Sequence, residues 1–385
     1  MTRIISLDLE TYKVTPGVLA PRIVVAALAG PAPARLLREG WVEPVKAALA
    51  DADVTLVGAN VAYDFACMCA ERPELFEYVW AAYEEGRVFD VQIAALLNAI
   101  AEGRCQDGDL FRKDGSKIQS GRYSLDECVR EWLGRTDAKD RARWRTSYAL
   151  LDALPIEEWP EDAREYPLDD VRNTLEVAEA QLSTALNLRD MKVQAHAAFC
   201  THLGACWGLR TDAGRVHEFK QEVESHLIRA KELGRTLSFV RPDGTKDTKK
   251  IRAAVESAYA GSPPRTETGA VSTSRETLAD SGSADLEQWA DASRWEKLKT
   301  YLPTLEEAAR VPLNVKPNIL LATGRTSYDG LIQLIPRGGG VRECFVARPG
   351  HVLCSVDYNA IEMSTLAQVC LWTVKFSKLA DSINS

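Results

Sequence analysis

Arg3-Ile-Ile-Ser-Leu-Asp-Leu-Glu-Thr11 decides how the rest of this chain is read. The run is apolar enough for a buried strand, yet it carries acids at 8 and 10, and the period of a strand sets both carboxylates on one face. Acids on a strand that is otherwise buried call for a use. Downstream, Tyr166 and Asp170 lie in Glu165-Tyr-Pro-Leu-Asp-Asp170, four residues apart where a helical pattern begins, so they share a helix face. Between these segments, Asp64 opens an apolar helical stretch just after the strand-like Val54 to Ala59. Three elements therefore each bring acid at an end or on one face.

Phosphodiester hydrolysis needs a nucleophile at neutral pH and neutralisation of charge on both the attacking and the leaving oxygen. Two Mg²⁺ or Mn²⁺ ions roughly 4 Å apart supply both. Such hard cations take oxygen ligands, and carboxylates are what these segments offer. A phenol one turn from a ligating Asp can orient the attacking water by hydrogen bonding, with no shifted pKa. Taken singly, a D-x-E on a strand or a Y-x-x-x-D on a helix is as readily a solvated edge or a surface pair. Their joint occurrence in this order gives the pattern its force.

Together the segments resemble the three exonuclease motifs of the DEDD superfamily, in the tyrosine-bearing form found in proofreading domains, over about the first 185 residues. Asp8-Leu-Glu10 is the first motif, Asn60-Val-Ala-Tyr-Asp64 matches N-x-x-Y-D, and Tyr166-x-x-x-Asp170 is the third. The resemblance implies a ribonuclease H-like α/β domain with a mixed sheet. It implies that Asp8, Glu10, Asp64 and Asp170 hold two Mg²⁺ or Mn²⁺ ions and that Tyr166 positions the water. Asn60, on the DNA-contacting side, would support the second motif's acid rather than bind metal.

Residues 190 to 385 resemble the start of a family A DNA polymerase, the type common in bacteria and their phages. Gly269-Ala-Val-Ser-Thr-Ser-Arg275, the helix around Trp295 to Tyr301, and Thr323-Gly-Arg-Thr-Ser327 follow that family's thumb-to-palm order. Val356-Asp-Tyr-Asn-Ala-Ile-Glu-Met363 is similar to its palm motif D-Y-S-Q-I-E-L-R, with Asn359-Ala360 in place of Ser-Gln. Val352 to Val356 reads as a buried strand delivering Asp357 at its end, where an acid can ligate Mg²⁺ on an incoming dNTP. The resemblance makes Asp357 one of two polymerase metal carboxylates, places the Tyr358 carbonyl beside the nucleotide, and sets Glu362 against the sugar, excluding a 2′-hydroxyl. Arg325 would contact the primer in the minor groove, where acceptors are alike for all base pairs. Gln333 belongs to Leu331-Ile-Gln-Leu-Ile-Pro336, the counterpart of N-L-Q-N-I-P without its asparagines. Arg294, Lys297 and Lys299 beside Trp295 and Tyr301 suit either a grip on a nucleic-acid backbone or a plain solvated helix face.

The 28 residues after Asp357 contain neither the R-x-x-x-K-x-x-x-F-G-x-x-Y-G fingers helix nor the V-H-D-E palm motif. Val216-His-Glu-Phe219 lies upstream and lacks the Asp. The expectation is the N-terminal part of a polymerase, with a complete nuclease site and no polymerisation by this chain alone.

A chain of 385 residues exceeds one ordinary core. The expected domains are an exonuclease at 1–187, a mostly helical thumb-like region at 188–310 and a partial palm at 311–385. With 46% hydrophobic and 26% charged residues it is ordinary globular material. A formal net charge of -8 excludes a protein coated in basic charge, but not a DNA enzyme with acidic metal sites and local Lys and Arg clusters. Nine scattered cysteines without CxxC and five histidines speak against a disulfide framework, a zinc centre or a Ser-His-Asp site. Neither a signal-like N-terminus nor an 18-residue apolar span is present, so the cytoplasm is the expected compartment and a membrane is not a partner.

Gly103 to Gly121 reads as an exposed excursion, and Gly261 to Ser283, dense in Ser, Thr, Gly and Pro, as a linker or exposed loop. Long amphipathic helices are expected through Gln194 to Cys206 and Val216 to Leu233, separated by Gly208. The expected partners are single-stranded DNA 3′ ends and primer-template, with dNTP only in a complete polymerase and any processivity factor left open. Competing readings are a non-catalytic DNA-binding or clamp-like module and, more weakly, a stand-alone RNA exonuclease.

Overall fold

The computed structural model describes residues 3–106, 109–136, 139–184, 188–319, 321, 326–328 and 330–384. The opening run becomes β1 (Arg3–Thr11), joined by β2 (Ile23–Ala29), β3 (Arg35–Leu37), β4 (Val54–Gly58) and β5 (Val88–Asp90) in one sheet ordered β3-β2-β1-β4-β5. The sheet is mixed, as expected. β2 and β3 run antiparallel, and β4 and β5 parallel, to the strand they join. All seven residues of β2 are buried and apolar, as a strand covered on both faces requires. Asp8 lies opposite Ala27 and Glu10 opposite Val25 in the register between β1 and β2.

Six helices surround this sheet: α1 (Val42–Ala50), α2 (Val61–Glu71), α3 (Phe76–Glu84), α4 (Val91–Ala101), α5 (Leu125–Leu133) and α6 (Glu161–Thr184). α6 packs across β1 and β2 and against α5. The main core gathers Leu7, Leu9, Leu56, Phe65 and Met68, and α7 (Leu188–Trp207) seals it with Ala195, Ala198 and Phe199. Burying a side chain such as Phe65 or Phe199 contributes about 1.5–3 kcal/mol. The helical half is thus built directly onto the sheet.

Gly208, at φ 69°, ends α7 ahead of α8 (Ala213–Thr236), whose N-cap Asp212 accepts the Arg215 N–H. α9 (Thr248–Ala258), α10 (Arg275–Ala279), α11 (Ala284–Lys299) and α12 (Leu302–Ala308) follow. They form two small cores, one around Val223, Trp295, Leu298 and Leu305, the other around Phe239, Val255, Leu278 and Trp289. Gly234 lets α8 approach the second of these: a Cβ there would meet the Trp289 ring and the Val240 side chain at 2.6 Å. Gly234→Ala is expected to lower stability by about 1–3 kcal/mol through overpacking, despite alanine's better helix propensity. The urea midpoint checks this, and an unchanged or raised midpoint would show that Trp289 yields freely.

Two expectations are corrected. Of the two readings of Gly261 to Ser283, the exposed loop holds for most of residues 261–270, but the segment is not a linker. Arg265 and Val271 form a β-bridge, the Thr266 N–H donates to the Ala270 carbonyl at 2.8 Å, and α10 follows with Thr277 and Leu278 buried. Gly103 to Gly121 is a surface excursion as expected, but a short hairpin (Cys105–Gln106 with Asp109–Leu110) and buried Leu110 and Ile118 anchor it.

Residues 346–385 form a separate compact unit, in which α13 (Ile361–Val374) packs on α14 (Lys378–Asn384). Here lies the second correction, because Val352–Val356 is not a buried strand. Val352 is 87% and Val356 85% exposed, and neither they nor the residues between have regular structure. A strand needs lateral partners for its N–H and C=O groups and a surface to bury its apolar residues on, and the described residues supply neither. No helix among the described residues is long and apolar enough to cross a membrane. All nine cysteines are free thiols.

Candidate active site

β1 delivers Asp8 and Glu10 to the side on which α6 packs, and α6 brings Asp170 to meet them. One carboxylate oxygen from each of Asp8, Glu10 and Asp170 lies within 4.8 Å of the others. Asp64 comes from the first turn of α2, is only 4% exposed, and its carboxyl accepts the backbone N–H of Leu9, between Asp8 and Glu10. Tyr166 stands half-buried one turn before Asp170. The structure therefore brings together the five residues that the motifs singled out.

Electrostatics show how crowded this set is. Burial raises the Asp8 carboxyl from 3.8 to about 7, with Arg145 pulling the other way. Burial, then the charges of Asp8, Asp170 and Asp64, push Glu10 well above the usual carboxylate range. Asp64 rises for the same reasons, burial first and Asp8 second. Burial and the neighbouring Asp170, Glu10 and Asp8 also raise the Tyr166 phenol, so it stays an O–H donor at physiological pH. Such a cluster cannot ionise fully without added positive charge. An all-oxygen donor set of this kind suits hard divalent cations.

The entry into α2 is shaped by backbone geometry. Asn60 adopts the left-handed conformation at φ 64°, which asparagine tolerates better than most residues, and its side chain forms no cap bond. Asn60 is exposed and makes the turn that leads into α2. Gly58 ends β4 where a Cβ would meet Val61 at 2.7 Å.

Two residues went unnoticed in the sequence. Asp90, buried at the end of β5, caps α4 by accepting the N–H groups of Gln92 at 2.9 Å and Ile93 at 3.2 Å, and also accepts the Val61 N–H at 2.9 Å. One carboxylate thus fixes the starts of two helices, one of them carrying Asp64. Its only signal was an acid directly after a strand and before a helical run. Arg145, exposed in the 3-10 turn Lys139–Thr146, is the cation felt at Asp8, Glu10 and Tyr166. Nothing in the local pattern set it apart from its basic neighbours.

The other residues singled out in the sequence belong to other elements. Lys297 and Lys299 are exposed on α11, while Arg294 lies over the Trp295 ring at 5.7 Å. Trp295 and Tyr301 are buried in the core, so they are not free to stack on bases. Gln333, in the 3-10 turn Leu331–Leu334, accepts the Tyr328 N–H at 2.9 Å. Arg325 lies outside the described residues. In the unit of residues 346–385, Asp357, Tyr358 and Glu362 are all exposed, with Glu362 in the first turn of α13.

Over 72 residues the chain is 39% identical to a DNA polymerase of Mycobacterium phage D29, a match covering 18% of this chain and 12% of that protein. Its fold is similar to that of the POL domain of Pol1 from M. smegmatis, solved in complex with DNA primer-template and dNTP, at a TM-score of 0.61 and 16% identity. That likeness covers 94% of this chain and 58% of the solved one, so the chain spans well under two thirds of either relative. Trypanosoma brucei RNase D is matched at 17% identity and a TM-score of 0.35, over 52% of this chain and 66% of that one. The Aedes aegypti Nibbler EXO domain gives 15% and 0.35, over 51% and 85%. No protein-family model matches. The first match is a stretch of similarity to a DNA polymerase, and the second a fold shared with a polymerase domain, in agreement with the polymerase resemblance carried by the motifs.

Proposed function

We propose that this chain is the exonuclease-bearing N-terminal part of a family A DNA polymerase and that it hydrolyses DNA from 3′ ends in proofreading. One observation carries this reading: Asp8, Glu10 and Asp170 converge within 4.8 Å, with Asp64 tied in at Leu9 and Tyr166 one turn from Asp170. Residues 1–187 form the exonuclease domain, 188–310 the thumb-like region and 311–385 the beginning of a palm.

Asp8, Glu10, Asp64 and Asp170 would hold two divalent ions, Mg²⁺ or Mn²⁺, which when bound supply the activated nucleophile and neutralise the leaving oxygen. The protein's own groups prepare the rest. Leu9 and the Asp90 clamp on α2 fix Asp64 relative to β1. Tyr166, kept protonated by its surroundings, orients the attacking water through its hydroxyl. Arg145 presents a cation at the mouth of an otherwise acidic site, where a DNA phosphate can meet it. Lys297, Lys299 and Arg294 belong to the primer-template surface. Asp357, Tyr358 and Glu362 would serve dNTP binding only in a complete polymerase.

Labelled single-stranded DNA tests this. Protein stripped with EDTA is expected to leave the DNA intact, and added Mg²⁺ or Mn²⁺ to start stepwise loss from the 3′ end. Degradation that persists in chelator would overturn the reading. Primer-template binding without hydrolysis under either ion would instead favour the non-catalytic module.

A further inference from the structure

Pro167 sits inside α6, between Tyr166 and Asp170. Proline has no N–H, so an α-helix cannot at this point return a hydrogen bond to the carbonyl four residues back, that of Ala163. Ala163 is fully buried. Its carbonyl accepts instead from the Tyr148 hydroxyl, at 2.8 Å. Tyr148 comes from the 3-10 turn Tyr148–Leu151 and is itself buried. Its ring centroid lies 5.8 Å from that of Trp159, 6.1 Å from that of Trp144 and 6.4 Å from that of Tyr166. Burial, then Glu10, raise this phenol's pKa, so the hydroxyl remains a donor. A single side chain thus replaces a missing backbone donor and abuts the very phenol that faces the acids.

We propose that Tyr148 is a positioning residue: by bonding the carbonyl that Pro167 deprives of its helical donor, it fixes the start of α6 and with it Tyr166. Its effect on catalysis rests on the exonuclease reading, whereas its bond to α6 does not. The geometry makes a sharp demand, because the hydroxyl matters only while residue 167 lacks an N–H. Restoring that N–H should make the hydroxyl dispensable.

The test compares wild type, Tyr148→Phe, Pro167→Ala and the double variant. In Mg²⁺ on single-stranded DNA, Tyr148→Phe is expected to lower kcat by roughly 3- to 10-fold, the span of one net hydrogen bond, with KM nearly unchanged. In the Pro167→Ala background the same substitution should change kcat by less than about twofold. Thermal midpoints of the four proteins read the same cycle without catalysis: loss of the hydroxyl lowers the midpoint in the wild-type background and not in Pro167→Ala. Equal losses in both backgrounds overturn the proposal, and so does a normal kcat for Tyr148→Phe in an active enzyme. If wild type hydrolyses no DNA under either ion, the exonuclease reading fails by itself. The thermal cycle then decides the structural half, coupling supporting it and additivity overturning it.

Discussion

Asp8→Ala combined with Glu10→Ala is expected to lower kcat for hydrolysis of labelled single-stranded DNA by roughly 10⁴-fold, about 5.5 kcal/mol of transition-state stabilisation. The size follows from geometry. Both acids leave the same face of β1 and meet Asp170 within 4.8 Å, so removing them leaves Asp170 and Asp64 to bind two cations alone. The loss should fall on kcat more than on KM, because in the proposed mechanism the acids act on the reacting oxygens while Arg145, the proposed phosphate contact, stays in place. The double variant should also keep its fold, since Asp8 and Glu10 face like charges. A variant that degrades DNA as fast as wild type would end the claim that these acids are the nuclease.

Without divalent ions, the wild-type protein is expected to lose stability as pH rises from about 4 to 8. Asp8 titrates near 7 when folded against its ordinary 3.8. Below about pH 4 both states hold the proton and no penalty exists. Between those values the folded state keeps a proton that the unfolded chain has released, so each step up in pH favours unfolding. Above about pH 7 the penalty from Asp8 is nearly complete, and Glu10 and Asp64 shift in the same direction. Urea midpoints in EDTA at pH 5 and pH 8 check this, and a flat or rising profile would contradict it. Added Mg²⁺ should restore more stability at pH 8 than at pH 5, because a cation favours the ionised forms. The Asp8→Ala, Glu10→Ala variant should then be more stable than wild type at pH 8 without ions, gaining stability as it loses activity.

The candidate site was legible because its acids lie on segments with clean periodicity. Alternation in Arg3–Thr11 and the unbroken apolar run of Ile23–Ala29 name strands by themselves, and the spacing of Tyr166 and Asp170 names a helix face. Asp90 and Arg145 were not legible, since each matters only through residues far away in sequence: Asp90 by reaching the Val61 N–H, Arg145 by facing β1 and α6. The segment 261–283 misled for another reason. Its serines and threonines suggest solvent, yet Ser274 caps α10 by accepting the Thr277 N–H, and Val271 and Leu278 enter the core. Polar residues that bond their own backbone are building material, not spacer. Val352–Val356 misled in the opposite sense, because an apolar run makes a strand only when a neighbour accepts its edge.

Ala27 and Val25, the residues of β2 opposite Asp8 and Glu10, bring those acids no charge. A lysine at position 27 would calm the cluster, and in the proposed mechanism it would also fill the place meant for cations from solution. Natural selection on such a strand would then act against the most comfortable neighbour: the site stays usable because the sheet leaves its acids unanswered.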